Sequence, residues 1–266
     1  RARNGYRLGS DTLHDSLMWD ALIDAFNNYH VGITAENLAE KYEISREEQD
    51  AFGLESQRRA VNAIKEGYFR EEIVPVEIKV KGKTVLFDTD EHPRDGLDME
   101  ALAKLKPSFK EGGTVTAGNA SALNDGGAAL ILMAGDKAKD LGIKPLARIV
   151  STASAAVDPK VMGIGVVPAV HRALKFANLK LSDIKLWEIN EAFAAQVIAC
   201  NRELKVDLAK INVNGSGISL GHPVGSTGAR IILHLVNEMR RRSYRYGCAS
   251  LCAGGGPGMA VIIETL

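Results

Sequence analysis

Trp187-Glu188-Ile189-Asn190-Glu191-Ala192-Phe193-Ala194 reads as a strand that ends on Asn190 and passes at once into a helix. Outward from this junction the same rhythm continues. Strand patterns at 146–157, 185–189 and 211–214 alternate with helical patterns at 166–177, 191–204 and 225–242, distinguished by apolar periods of 2 and of 3.6 residues. Such alternation packs helices on a mostly parallel sheet, so the expected fold class is α/β. Strands at 246–252 and 259–265 follow. Only Ala253-Gly254-Gly255-Gly256-Pro257-Gly258 joins them, a link short enough for an antiparallel return.

Before about residue 123 there is no repeating βα order. Ser45-Arg46-Glu47-Glu48 forms a capping box, in which the Ser hydroxyl and the third-position Glu each satisfy a backbone donor. The helix it starts runs through Phe52, Leu54, Ala60 and Ile64 to Gly67, a residue that accepts the left-handed geometry of helix ends. Two short strands, Ile73 to Val80 and Thr84 to Asp88, are divided by a turn at Gly82. The region reads as an elaborated insertion, and no repeat of solenoid length occurs.

Composition narrows the function classes. The 266 residues are 45% apolar and 25% charged, as in soluble globular chains and unlike disordered ones. Lys plus Arg number 33 and Asp plus Glu number 33, so no net positive field draws in nucleic acid. The longest apolar run, Ala128 to Ala134, falls far short of the ~20 residues of a membrane-spanning helix. Cys200, Cys248 and Cys252 are too few and too irregular for a disulfide framework, which points to a reducing, cytoplasmic setting. Arg1-Ala2-Arg3-Asn4-Gly5-Tyr6 has no Met and no apolar core behind its basic residues, and reads as a cut end rather than a secretory signal.

Three places can carry chemistry. Cys252 closes a strand and enters a glycine-rich loop, where backbone N–H groups can approach a ligand and a thiolate can act as base or nucleophile. A lone cysteine is more often a small buried hydrophobe; the glycine loop favours the chemical reading. Cys248 is four residues earlier on the same strand face, about 13 Å away at ~3.3 Å per residue and too far for a disulfide. Cys248 and Cys200 read as core residues. In Gly221-His222-Pro223-Val224-Gly225-Ser226-Thr227-Gly228, Pro223 holds His222 extended in a loop, where it can be a general base or an oxyanion donor; the plain alternative is a surface histidine beside a helix start. No Cys or His lies at ligand spacing from it, so no metal is expected. Asn190 sits where ligands gather at strand carboxyl ends, although local sequence alone favours a helix N-cap.

Taken together, Asn190-Glu191-Ala192-Phe193-Ala194, then Gly221 to Gly228, then Leu251-Cys252-Ala253-Gly254-Gly255-Gly256 resemble the signatures of the thiolase family in order and spacing. Phe109 to Asn119 with Ala120-Ser121-Ala122-Leu123-Asn124-Asp125-Gly126 resembles the family's coenzyme-binding segment, and the Cys-x-Gly-Gly-Gly form is similar to its acetyl-CoA acetyltransferase branch. The resemblance spans the chain without a large gap. It implies a layered αβαβα sandwich, present here as an inserted loop domain binding coenzyme A (1–123), a closing segment of the first half (124–145) and the second half (146–266). The implied reaction condenses two acetyl-CoA to acetoacetyl-CoA and coenzyme A, or runs the reverse thiolysis, with coenzyme A thioesters as substrates and no permanently bound cofactor. A 3-ketoacyl-CoA thiolase of fatty-acid breakdown shares the motifs. A non-catalytic acyl-CoA-binding subunit is a further alternative, opposed by the presence of Asn190, His222 and Cys252 together.

By the same resemblance Cys252 is the acid/base that removes a proton from the second acetyl group. His222 activates the nucleophilic cysteine and helps hold an oxyanion, Asn190 positions a water there, and the Gly254 N–H serves the other tetrahedral intermediate. Coenzyme A contacts map onto Phe109, Ala117, Ser121, Phe193, Met162, Leu22, His30 and Arg94, with Arg94, in the turn His92-Pro93-Arg94-Asp95-Gly96, at the nucleotide end. Val31 departs from the Met common after the family's loop histidine. The family's acylated cysteine lies in an N-terminal segment, and neither Cys200 nor Cys248 sits in a motif resembling it, so this chain alone is not expected to complete the cycle. Family members are dimers or tetramers. A homo-oligomer is therefore expected, with Leu13, Leu17, Trp19, Leu22 and Phe26 covered by other parts of the protein or by a partner.

Overall fold

The computed structural model describes residues 5, 8, 9 and 11–266; apart from Gly5, the stretch Arg1 to Tyr6, read as a cut end, lies outside them. A helical turn at Met18–Leu22 leads into a two-stranded antiparallel pair, β1 (Ile23–Asp24) and β2 (Tyr29–His30). Helices α1 (Gly32–Lys41) and α2 (Arg46–Lys65) follow. As the sequence pattern predicts, the Ser45 hydroxyl caps α2 by accepting from the Glu48 N–H at 3.1 Å. The reciprocal half of the capping box is not made. The Glu48 carboxylate instead receives the Arg202 guanidinium at 2.7 and 2.9 Å, a charge-assisted pair stronger than a bond to a neutral amide.

An exposed hairpin, β3 (Val76–Val80) and β4 (Lys83–Phe87), turns on Lys81 and Gly82, both at positive φ, as a two-residue hairpin loop requires. Two short helices, α3 (Met99–Ala103) and α4 (Gly135–Asp140), complete this part.

The rest forms one sheet with helices on both faces. Its strands are β5 (Ala147–Ala156), β6 (Leu186–Ile189), β7 (Tyr246–Cys252) and β8 (Pro257–Thr265), in the order β5-β8-β7-β6. Between them in sequence lie α5 (Val166–Ala177), α6 (Ala194–Leu204), α7 (Gly217–Leu220) and α8 (Thr227–Arg241). The expectation of a mostly parallel sheet is overturned: β6–β7 is parallel, while β5–β8 and β7–β8 are antiparallel. The cause is the short glycine-rich return after β7, which inserts β8 between β7 and β5 and makes it run against both. Residues 211–214, expected as a strand, form no ladder and make two isolated bridges, Ile211 to Trp187 and Val213 to Gly215. There the Asn212 side chain replaces a ladder, accepting from the Ile189 N–H at 2.8 Å and donating to its carbonyl at 2.7 Å.

Strand parity divides the core. Trp187, Ile189, Cys248, Cys252, Ala260 and Ile262 face the layer of α5 and α6, with α1 packed beyond. Leu186, Ala249 and Ile263 face α8, where they meet Ile231, Leu235 and Met239. Each of those three helix side chains is fully buried and stabilises the packing by roughly 1.5–3 kcal/mol. Cys200, Cys248 and Cys252 are buried and unpaired.

Candidate active site

Asn190 follows the last residue of β6, and its N–H still donates to the Ser250 carbonyl on β7 at 2.9 Å. It is not a helix cap: α6 starts at Ala194 with Phe193 in the cap position. Residues 191–193 stay out of the helix, and residues 192–194 pair with the segment at 119–121. Ala120 bridges Phe193, the Ser121 N–H donates to the Ala192 carbonyl at 2.9 Å, and the Ala194 N–H donates to Asn119 at 2.8 Å. The freed Asn190 side chain reaches His222, with Nδ2 3.3 Å from Nε2. Its Oδ1 is buried and unbonded.

His222 lies in the loop between α7 and α8. The bend before it depends on Gly221 (φ +90), where a Cβ would fall 2.3 Å from Asn124 Oδ1. On the other side of the ring Nδ1 lies 2.6 Å from Thr227 Oγ1, and the Thr227 hydroxyl donates to the Pro223 carbonyl at 3.0 Å. With its own proton committed, the Thr227 oxygen accepts from Nδ1, so Nδ1 carries the ring proton and Nε2 the lone pair. Burial, reinforced by the positive charge of Arg230, lowers the imidazole to about 4. His222 is therefore a neutral base at physiological pH.

Cys252 ends β7 inside the core, and burial pushes its thiol up to about 12. It rests as a thiol. Once ionised, such a group is a strong base, as a weakly acidic C–H demands. Two residues on, a Cβ on Gly254 would lie 3.9 Å from both the Ala21 carbonyl and the Val31 side chain, so the loop after Cys252 rests against the segment that carries Leu22 and His30.

The expected coenzyme residues fall into two neighbourhoods. His30 stacks on Phe109 with ring centroids 4.5 Å apart, and Phe109 meets Phe193 edge-on at 5.9 Å. Leu22 and the buried Met162 belong to the same apolar cluster, while Ser121 is fastened beside it to Ala192. Ala117 lies exposed in the turn closed by Asn119 and Thr116. Arg94 belongs elsewhere: its N–H donates to Gln57 Oε1 at 2.8 Å, and it lines a cavity of about 320 Å³ with Leu54, Arg58, Val61 and Lys65. The neighbouring His92 ring bonds the Ser219 carbonyl at 2.9 Å, which docks this turn on α7.

Sequence reading passed over Thr227, although a hydroxyl five residues after the loop histidine, at a helix start, was the available signal. It also passed over Glu191. This buried carboxylate accepts from Ser56 Oγ at 2.6 Å, Asn212 Nδ2 at 2.9 Å and the Ile218 N–H at 3.1 Å, clamping α2 and α7 to the residue beside Asn190. Among the described residues no cluster of three or more His, Cys, Asp or Glu is placed to hold a metal ion.

Residues 1–136 match the thiolase N-terminal domain and residues 143–265 the thiolase C-terminal domain. The chain belongs to the thiolase family, and its architecture is that family's layered α/β fold. It is 56% identical over 263 residues to the acetyl-CoA acetyltransferase of Pseudomonas aeruginosa, an alignment covering 98% of this chain and 67% of that protein. The Bacillus anthracis acetyl-CoA acetyltransferase structure matches with a TM-score of 0.95 at 52% identity, over 100% of this chain and 67% of that one. Human mitochondrial 3-ketoacyl-CoA thiolase in complex with CoA matches with a TM-score of 0.92 at 48% identity, over 100% and 66%. The chain thus spans about two thirds of the length of these relatives.

Proposed function

We propose that the protein carrying this chain condenses two acetyl-CoA molecules to acetoacetyl-CoA and coenzyme A, or runs the reverse thiolysis. The observation that carries this reading is a neutral His222, fixed by Asn190 and Thr227, at the strand ends where β6 and β7 also deliver Asn190 and Cys252. His222 Nε2 takes the proton of the thiol that is to be acylated. That thiolate attacks the first acetyl-CoA, and the departing coenzyme A thiolate takes the proton of Cys252. The Cys252 thiolate then removes a proton from the methyl carbon of the second acetyl-CoA. The enolate oxygen accepts from Nε2–H of His222 and from a water positioned by Asn190. Its carbon attacks the acyl-enzyme carbonyl, with the Gly254 N–H donating to the tetrahedral oxyanion. Collapse expels the enzyme thiolate, which takes its proton back from His222 Nε2, and Cys252 is left as a thiol. The burial of Cys200 and Cys248, which pushes both thiols up, gives no reason to assign either as the acylated residue.

In this reading the chain divides into an inserted loop domain (1–123), a closing segment (124–145) and a second half (146–266). Pantetheine runs past His30, Phe109, Phe193, Ser121, Met162, Leu22 and Ala117, and Arg94 meets the nucleotide end. No permanently bound cofactor is assigned. Trp19, 54% exposed, and Phe26, 75% exposed, support a homo-oligomer, dimer or tetramer, in which these side chains are covered. Three unpaired cysteines support a cytoplasmic setting; among the described residues no helix is long and apolar enough to cross a membrane. Steady-state thiolysis of acetoacetyl-CoA and of longer 3-ketoacyl-CoA thioesters tests the proposal. Preference for the four-carbon substrate is expected, preference for long chains would favour the enzyme of fatty-acid breakdown, and no turnover with any of them would sink both.

A further inference from the structure

Residues 119–126 form one continuous rail that touches both loops of the site. Its first part holds the residues after Asn190. Ala120 bridges Phe193, the Ser121 N–H donates to the Ala192 carbonyl at 2.9 Å, and the Asn119 carbonyl accepts from the Ala194 N–H at 2.8 Å. Its second part holds the loop of His222. The His222 N–H donates to the Ala122 carbonyl at 3.3 Å, and the Ser226 hydroxyl donates to the Gly126 carbonyl at 3.2 Å. At two points rail and loop touch so closely that a side chain has no room: Gly221 against Asn124, and Gly126 against the Pro223 ring.

Gly126 is not at positive φ, so its backbone conformation makes no demand for glycine. What it supplies is room. A Cβ there would lie 2.6 Å from Pro223 Cγ and 2.9 Å from Pro223 Cβ, against ~3.5 Å or more for carbon atoms in contact. The ring would have to retreat by roughly 1 Å, and it cannot retreat alone. The Pro223 carbonyl accepts from the N–H groups of Ser226 and Thr227 at 2.9 and 3.0 Å. It also accepts from the Thr227 hydroxyl at 3.0 Å, the bond that sets the direction of the Thr227 contact with His222. Displacing Pro223 therefore disturbs the imidazole both through the chain, since the two residues are neighbours, and through Thr227. Gly127, one residue on and likewise not at positive φ, would place a Cβ in open space among the described residues.

We propose that Gly126 is a positioning residue for His222: by leaving room for the Pro223 ring it lets the loop at 221–226 seat on the rail, which sets the imidazole against Asn190, itself beside the residues that the other end of the rail holds. This rests on the role given to His222 above. None of the side chains assigned to coenzyme A takes part in the contact between Gly126 and Pro223, so the effect of Gly126 falls on turnover and not on substrate binding.

The test compares Gly126→Ala with Gly127→Ala in the full-length protein. Gly126→Ala is expected to lower kcat for acetoacetyl-CoA thiolysis about tenfold or more, since a misplacement near 1 Å can cost ~10²-fold, and to leave KM within about twofold. Gly127→Ala is expected to change neither. NMR of protein with 15N-labelled histidines, six in the sequence, reads the ring directly, with His222 assigned through His222→Gln. Its resonances are expected to move in Gly126→Ala and to stay in Gly127→Ala. If Gly126→Ala does not fold, Ser226→Ala, which removes the bond to the Gly126 carbonyl, decides in its place and is expected to move the same resonances. Unmoved His222 resonances in the deciding variant, a Gly127→Ala shift of equal size, or a loss in an active enzyme that falls on KM alone overturns the proposal. The spectra need no turnover, so absent thiolase activity would sink the proposed function without touching this result.

Discussion

Thr227 Oγ1 stands between two partners, 2.6 Å from His222 Nδ1 and 3.0 Å from the Pro223 carbonyl. The second contact gives the first its direction. Because the hydroxyl proton goes to the carbonyl, Thr227 fixes the ring tautomer as well as the ring plane. Thr227→Val keeps the shape and removes the acceptor, so kcat should fall by roughly 10²-fold while the melting temperature changes little. Thr227→Ser should recover most of the rate. Steady-state kinetics on the two variants decide it, and a Val variant with wild-type kcat would show that Thr227 does not orient the imidazole.

Cys252→Ser replaces the thiol by a hydroxyl that cannot supply a comparable base. Carbon–carbon bond formation should drop by at least about 10²-fold, while transfer of the first acetyl group to the enzyme continues. Trapping with labelled acetyl-CoA separates the two steps. Condensation at the wild-type rate would reduce Cys252 to a packing residue.

Gly32 begins α1 beneath the Phe109 ring, and a Cβ there would come within 2.3 Å of the ring carbon Cγ. Gly32→Ala should therefore push Phe109 off His30, lower stability by roughly 1–3 kcal/mol and weaken coenzyme A binding. Thermal melts and equilibrium dialysis read the two effects. Unchanged values in both would mean that the aromatic pair shifts without cost.

Glu188 provides a pH test. Unfolded, it ionises at its ordinary 4.5; folded, burial holds it to about 8. Between those values the unfolded chain has released a proton that the folded chain keeps, so this residue's contribution makes stability fall as pH rises, levelling off above about 8. Glu188→Gln lacks that slope. Its stability relative to wild type should improve with pH across the window by an amount on the order of a few kcal/mol, read from urea unfolding at about pH 5 and about pH 8. Parallel stability curves would rule this out.

The strand–helix order of the second half and its three motifs were legible because each rests on local chemistry: apolar period, Pro and Gly at turns, and a helix after a strand end. What escaped was pairing. Nothing within β8 states that it inserts between β7 and β5, since antiparallel and parallel strands share a period of two and differ in neighbours alone. Asn190 failed as a cap for a related reason: residues 192–194 found backbone partners in the distant 119–121 segment, so the helix started late. In the site, His222, Asn190 and Cys252 stood out as polar residues among glycines and at a strand end. Thr227 looked like an ordinary first residue of an amphipathic helix, and its meaning depends on the loop histidine that folds back onto it.

The position of β8 bears on how the molecule is made. It is the inner strand of the sheet, hydrogen-bonded on both sides, yet it is the last strand in sequence among the described residues. On the ribosome, β5 and β7 must wait as open edges until residues 257–265 emerge, with the faces that will carry Cys252 and His222 still unsealed. Such edges recruit other chains. A message interrupted before Pro257 would therefore yield an aggregating fragment, and a chaperone that shields strand edges would be needed most until that segment has been made.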